Sequence, residues 1–272
     1  MNAEMIGFHP RSWTRKQDGT AARAAAATAG RAGPYHQAGR TTPRSIMSNL
    51  ALYALFFGVP LVFGLWAQHR IKSTFQKYSE VPEDTGMTGA QVARQILDAN
   101  GLQGVPVNAV AGALSDHYDP RSRSVNLSEP VYGAATISST AVAAHEVGHA
   151  IQHAKAYFPM TVRSALWPVT AFASNTWMFL LIAGALLSSL NLVLIAIGLF
   201  AAVVLFQIVT LPVEFDASRR AALQLKTLGI ANPDESVGVR KVLTSAALTY
   251  VAGALAAIAQ LAYFVLTFLG NR

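Results

Sequence analysis

The sequence predicts a mainly α-helical integral membrane protein, with about four transmembrane helices and a small α+β region. Three observations lead to this fold class. Hydrophobic residues make up 52% of the 272-residue chain, and charged residues only 13%. Four uncharged runs each reach about twenty residues, the length that crosses a bilayer. Between residues 80 and 158 the composition is instead polar and mixed, as in a soluble region.

The uncharged runs divide the chain into six segments. We predict a basic extension (1–46), a transmembrane anchor (47–68), a soluble region (69–164), a transmembrane hairpin (165–211), a second soluble segment (212–245) and a last transmembrane helix (246–269). Membrane lipid is therefore an expected partner. A transporter would need ionisable side chains inside its spans, and the four predicted spans contain none.

The basic extension holds most of the net charge. Residues 1–46 contain seven Lys or Arg and two acids, and so account for five of the seven net positive charges. Their Ala-, Gly- and Arg-rich composition predicts disorder. Because Met47 directly precedes the first hydrophobic run, we interpret the extension as an artefact of start-codon choice; a targeting sequence and an interaction tail are the alternatives. Charge confined to such a tail does not indicate a nucleic-acid partner, and none is expected.

The soluble region begins with one predicted helix and one predicted hairpin. Residues 88–100 carry apolar side chains at helical spacing, and Gly101 is a natural stop. The predicted buried positions are Val92, Ile96 and Leu97. Residues 117–127 predict a hairpin whose turn opens at Asp119 and Pro120. This hairpin is a candidate rail for a substrate peptide added as a further strand, with a purely structural hairpin as the alternative.

Residues 141–153 contain His145, Glu146 and His149 in the pattern H-E-x-x-H. Residues four apart share one face of a helix, so the two imidazoles can bind one ion with the carboxylate beside them. Catalytic zinc uses three protein ligands and leaves a position for water. We therefore predict one zinc per chain bound by both histidines, with Glu146 as the general base. A chance match on a packed helix is the alternative, and the absence of cysteine excludes a thiolate site.

The helix around this motif has predicted boundaries and neighbours. Ser138, Ser139 and Thr140 are candidate N-caps. Gly148 lowers helix propensity, which indicates close packing near the ion. His153 follows His149 by four residues but has rotated away from His145, so we do not expect it to be a ligand; we interpret it as a polar residue at the helix end or on the substrate side.

The third ligand must come from the same side of the membrane as the motif. Two predicted spans separate His149 from Glu214, and an even number of crossings returns the chain to the same face. We choose Glu214 because residues 211–221 are expected to start a new helix after a break at Pro212. Asp216 is a weaker ligand candidate and a better acceptor for a ligand histidine's free N–H. Alternatively, both acids are ordinary helix-start acids paired with the arginines that follow.

Five stretches of the chain together resemble the YugP-like neutral zinc metallopeptidases of bacterial membranes. They are Lys72–Tyr78, Asp98–Leu102, Asp116–Arg121, Ala143–His153 and Leu211–Arg220, and the likeness extends over residues 47–269. The resemblance implies a zincin-like α+β catalytic region, the bacterial inner (plasma) membrane as location, and Glu214 as the third zinc ligand. More distantly, the arrangement is similar to the HtpX heat-shock protease and the type I CaaX prenyl protease, which have Asp where this chain has Ser218.

Motif and resemblance together predict a membrane-embedded zinc endopeptidase that acts on membrane or membrane-proximal polypeptides. The excess of Lys and Arg beside the spans predicts that the catalytic region faces the cytoplasm. The alternative is a zinc-binding membrane scaffold or quality-control adaptor without turnover, whose site a fourth protein ligand such as Asp216 or His153 would close. The candidate oxyanion donors are His117, Tyr118, Tyr157 and Arg219.

Overall fold

The computed structural model describes residues 50–270 of the chain. The predictions for residues 1–46, and for the first residues of the anchor, lie outside this part. The elements follow in the order α1 (Leu50–Ser79), α2 (Gly89–Ala99), β1 (Val107–Val110), β2 (His117–Asp119), β3 (Ser124–Ser128), α3 (Glu129–Gly133), α4 (Ile137–Ala154), α5 (Phe158–Leu186), α6 (Leu190–Thr227) and α7 (Pro233–Phe268).

Among residues 50–270, four helices are long and apolar enough to cross a membrane, namely α1, α5, α6 and α7. Their number and the mainly helical architecture confirm the predicted fold class. At most a third of the residues in each apolar stretch are buried inside the protein. Most apolar side chains of these helices therefore point outwards, as expected where lipid tails surround a helix whose backbone hydrogen bonds are satisfied internally.

The region predicted to be soluble, which we call the soluble layer, contains α2, α4 and a three-stranded sheet. Thr88 and Gln91 form a capping box at the start of α2, and the predicted buried positions Val92, Ile96 and Leu97 are all fully buried. The predicted hairpin is also confirmed, because β2 pairs antiparallel with β3 and Tyr118 lies opposite Val125. β1 pairs parallel with the other side of β3. Within residues 50–270, β2 is therefore an edge strand of this sheet.

The central helix α4 connects the soluble layer to the membrane helices. It packs against α2, α6 and α7, and most of its 18 residues are buried. Val147 and Ile151 of α4 belong to one hydrophobic core together with Leu127 of β3 and Leu243 of α7. Because this core contains side chains from strands and membrane helices alike, α4 has a fixed position relative to both.

The predicted helix break at Pro212 is wrong. α6 continues through Pro212 to Thr227 as one helix. Proline lacks an N–H and crowds the preceding turn, but membrane helices tolerate it where their neighbours hold the backbone in place. α7 begins at Pro233, where Asn232 and Glu235 form a capping box, and continues without interruption into the predicted span 246–269. The predicted second soluble segment thus consists largely of the ends of two membrane helices.

Candidate metal centre

The helix that carries His145, Glu146 and His149 begins at Ile137. Its N-cap is Thr136, whose side chain accepts a hydrogen bond from the Ser139 backbone N–H. The predicted N-caps Ser138, Ser139 and Thr140 are therefore wrong, since all three already lie inside the helix. The hydroxyl of Ser138 instead donates to the carbonyl of Phe75 at 2.8 Å and so ties α4 to the end of α1.

Gly148 allows α4 and α6 to approach closely. A Cβ atom at this position would lie 2.6 Å from the backbone carbonyl oxygen of Ala217. Only glycine fits this distance, because a backbone oxygen cannot swing aside as a flexible side chain can. Gly148 precedes His149 on α4, and Ala217 lies one turn after Glu214 on α6. The close contact expected from the sequence is therefore present, and it lies beside the candidate metal ligands.

His145, His149 and Glu214 form a cluster that could hold a metal ion. One donor atom from each lies within 4.8 Å of the others. The carboxylate oxygen Oε2 of Glu214 is 3.2 Å from Nε2 of His145 and 3.5 Å from Nε2 of His149. Ligand atoms arranged tetrahedrally about one zinc, at about 2.0–2.1 Å, would be about 3.3 Å apart. The donor types and the two distances from Glu214 therefore fit a zinc ion.

The second ring nitrogen of each histidine has its own protein partner. Nδ1 of His145 lies 3.1 Å from the hydroxyl of Ser218, and Nδ1 of His149 lies 3.0 Å from Oε1 of Gln152. An amide oxygen only accepts hydrogen bonds, so Nδ1 of His149 carries the proton and Nε2 presents its lone pair. Such partners fix the tautomer and orientation of ligand histidines. The Ser218 hydroxyl, which the sequence analysis noted as a difference from the distant resemblance, therefore contacts His145.

Gln152 links His149 to a cluster of three charged side chains. Its amide nitrogen donates to the carbonyl of Val213 at 2.8 Å and to Asp216 at 3.0 Å. Asp216 also pairs with both Arg219 and Arg220. Asp216 therefore does not accept the N–H of a ligand histidine, although the sequence analysis preferred that role. Its contact with the histidine is indirect, through Gln152, and the alternative pairing with the following arginines is present.

Glu146 points into the same cavity as His149 and Glu214. It is 8% exposed, and burial raises the pKa of its carboxyl to about 7, against the opposing influence of His145. A pKa near 7 suits a group that accepts a proton and returns it at neutral pH.

The cavity has a volume of about 750 Å³ and two kinds of wall. β2 and its turn supply the polar wall. The membrane helices supply the other wall, which is mainly apolar and includes Met160, Trp167, Pro168, Phe206 and Tyr250. His153 also lines the cavity, and its Nδ1 lies 2.8 Å from the Tyr118 hydroxyl. His153 is thus at the end of α4 and on the wall of the cavity, which agrees with both interpretations of this residue, and it is not among the three clustered donors.

The predicted oxyanion donors fall into two groups. His117 and Tyr118 line the cavity, whereas Tyr157 and Arg219 are not among its lining residues. Arg163 and Tyr250 line the cavity and were not predicted for this role. Nη2 of Arg163 lies 3.9 Å from Oε1 of Glu214. Neither residue has a local sequence signal, since each lies on a membrane helix and reaches the site only through the packing of α5 and α7.

Comparisons with known proteins show the family of the chain. The family model described as "Putative neutral zinc metallopeptidase" matches residues 53–269. A protein of Bacillus subtilis (strain 168) named "Putative membrane protease YugP" is 51% identical over 212 residues, which cover 78% of this chain and 94% of that protein. No solved structure matches. The resemblance inferred from the five sequence stretches is thus confirmed, and the chain belongs to the family described as putative neutral zinc metallopeptidases.

Proposed function

We propose that the protein is an integral membrane zinc endopeptidase with one zinc per chain. The observation that supports this most is the cluster of His145, His149 and Glu214, with Glu146 lining the same cavity as His149 and Glu214. Within residues 50–270 the cluster contains three donors, the number typical of catalytic rather than structural zinc. Asp216 and His153, which would close the site in a scaffold protein, are engaged with Arg219, Arg220 and Tyr118 instead.

In this proposal each residue has a separate task. His145, His149 and Glu214 hold the zinc, and Ser218 and Gln152 orient the two imidazoles. Bound zinc would acidify water and polarise the scissile carbonyl. Glu146 accepts a proton from the attacking water at its carboxylate and then donates it to the amide nitrogen that leaves.

The walls of the cavity indicate how a polypeptide would bind. β2 is an edge strand among the described residues and lines the cavity, so a substrate in extended conformation can pair with its backbone. The opposite wall, which includes Trp167 and Phe206, offers apolar surface to large side chains. Because this wall belongs to membrane helices, we propose membrane or membrane-proximal polypeptides as substrates.

We further propose that the site faces the cytoplasm from a bacterial inner membrane. Lys and Arg flank the spans on the side of the site, whereas the α5–α6 turn at Ser188 and Ser189 is uncharged. The chain has no cysteine, so Ser73→Cys and Ser188→Cys can be labelled individually in intact cells. A membrane-impermeant maleimide should label only Ser188→Cys. Labelling of Ser73→Cys alone would show that the site faces the outside and would refute the proposed orientation.

The central test compares Glu146→Gln with Glu129→Gln, an exposed acid outside the cavity. Zinc content is measured by elemental mass spectrometry, and cleavage is followed on membrane proteins of cells that produce each variant. We expect both variants to retain one zinc per chain and only Glu146→Gln to lose cleavage. Equal cleavage by both variants would refute the proposed mechanism. Retained zinc without cleavage even in the unsubstituted protein would favour the scaffold alternative.

A further inference from the structure

The uncharged runs of α1 and α7 end beside the same pocket. Arg70 is the first charged residue after the apolar run of α1. Lys241 is the last charged residue before the apolar run of α7. The two helices pack against each other, and Arg70, Arg240 and Lys241 together line a pocket of about 290 Å³. We call this the boundary pocket. It is separate from the cavity that contains the candidate metal ligands.

The three cations of the boundary pocket are not neutralised by neighbouring acids. The ion pairs found among residues 50–270 involve other basic side chains. Glu235 accepts the backbone N–H groups of Asp84 and Asn232, and is thereby held at the start of α7. Asp234 precedes Arg240 by more than one helical turn. The pocket therefore concentrates positive charge without an internal counter-ion in the described part of the chain.

Two neighbours indicate that this charge lies at the membrane surface. The guanidinium of Arg70 lies 5.6 Å from the ring centroid of Trp66, which is one turn nearer the membrane and 46% exposed. Tryptophan is typical of the interface between headgroups and lipid tails. Thr244 lines the pocket one turn beyond Lys241, at the start of the apolar run, and its hydroxyl can donate a hydrogen bond to an anion.

We propose that the boundary pocket binds the phosphodiester headgroup of an anionic phospholipid. Basic pockets between membrane helices bind such headgroups through charge and hydrogen bonds to phosphate oxygens. Free phosphate has the same chemistry, but the position of the pocket beside Trp66 and the apolar runs favours a ligand anchored in the bilayer. This inference does not depend on the proposed peptidase function.

The test uses the full chain in detergent, with bound lipid measured by native mass spectrometry. The pocket variant combines Arg70→Gln, Arg240→Gln and Lys241→Gln. The control variant removes the same charge from three exposed lysines outside the pocket, Lys72→Gln, Lys77→Gln and Lys226→Gln. Phosphatidylglycerol, phosphatidylcholine and inorganic phosphate are titrated separately, and thermal unfolding without added lipid checks that each variant is folded.

We expect the unsubstituted protein to prefer phosphatidylglycerol over phosphatidylcholine. The pocket variant should lose phosphatidylglycerol affinity on the order of 100-fold, and the control variant no more than about threefold. Equal losses in the two variants would overturn the proposal, because diffuse surface charge would then explain binding. Equal affinity for the two lipids would also overturn it. Displacement of phosphatidylglycerol by millimolar phosphate would identify a soluble ligand and refute the lipid assignment.

Discussion

Substitution of Gly148 by alanine should weaken zinc binding by forcing two helices apart. The added Cβ would lie 2.6 Å from the carbonyl oxygen of Ala217, whereas ordinary contact begins near 3.4 Å. Relief of this clash requires α4 and α6 to separate by about 0.8 Å. His149 is adjacent to Gly148, so the separation moves it away from Glu214 on α6. Their donor atoms, now 3.5 Å apart, would then lie more than 4 Å apart.

A shift of this size exceeds what a zinc site tolerates. Zinc–ligand distances vary by only about 0.2 Å between sites. We expect zinc affinity to fall at least about tenfold, and cleavage to fall by up to about 100-fold because the catalytic groups are misplaced. Zinc affinity is measured by competition with a chelator on purified protein, and circular dichroism shows whether the variant keeps its helix content.

Gly198→Ala is the matched control for this prediction. Gly198 lies on α6 as well, but a Cβ there meets no atom within 4 Å. We expect its zinc affinity and cleavage to equal those of the unsubstituted protein, since alanine in a helix is favoured over glycine. If folded Gly148→Ala binds zinc as tightly as Gly198→Ala, the close helix approach does not position the donors, and the argument is refuted.

Three further substitutions test the surroundings of the site and the core. Gln152→Leu removes the acceptor of the His149 N–H and should lower zinc affinity by about 10–100-fold in the chelator assay; an unchanged value would contradict this role. Ser218→Asp should bind zinc more tightly than Ser218→Ala, because a carboxylate is the stronger acceptor for the His145 N–H; the reverse order would contradict the assignment. Leu127→Ala in the fully buried core should lower the free energy of unfolding by about 2–5 kcal/mol, as measured by denaturant titration in detergent, and an unchanged midpoint would count against the packing.

The clustering of the three donors could be predicted from the sequence because it depends on the spacing of the two histidines and on the even number of predicted membrane crossings before Glu214. His145 and His149 share a face at four-residue spacing, and two crossings return the chain to the face that carries Glu214. Neither argument needs a three-dimensional structure. The choice of Glu214 over Asp216 rested on an expected helix break at Pro212, and this break is absent. The family resemblance favoured Glu214, and the observed donor distances agree with that choice.

The groups around the donors could not be predicted in the same way. Gln152 and Ser218 contact the histidines because α4 and α6 meet at a particular angle and distance. Arg163 and Tyr250 reach the cavity from helices that sequence reasoning treated only as spans or as topology markers. Hydropathy identifies a membrane helix but does not indicate which of its residues face inwards, because the lipid-facing and protein-facing sides are similarly apolar.

The length of α6 explains how a single helix can serve both the membrane and the site. Glu214 lies 24 residues after Leu190, a distance of about 36 Å along a helix with a rise of 1.5 Å per residue. This slightly exceeds the hydrocarbon thickness of about 30 Å, so Glu214 would lie just beyond an apolar layer that begins at Leu190. A break at Pro212 would leave its direction to a flexible joint. Because α6 is continuous, the position of Glu214 is set by the packing of the membrane helices, and zinc bound there would join α4 of the soluble layer to the transmembrane bundle.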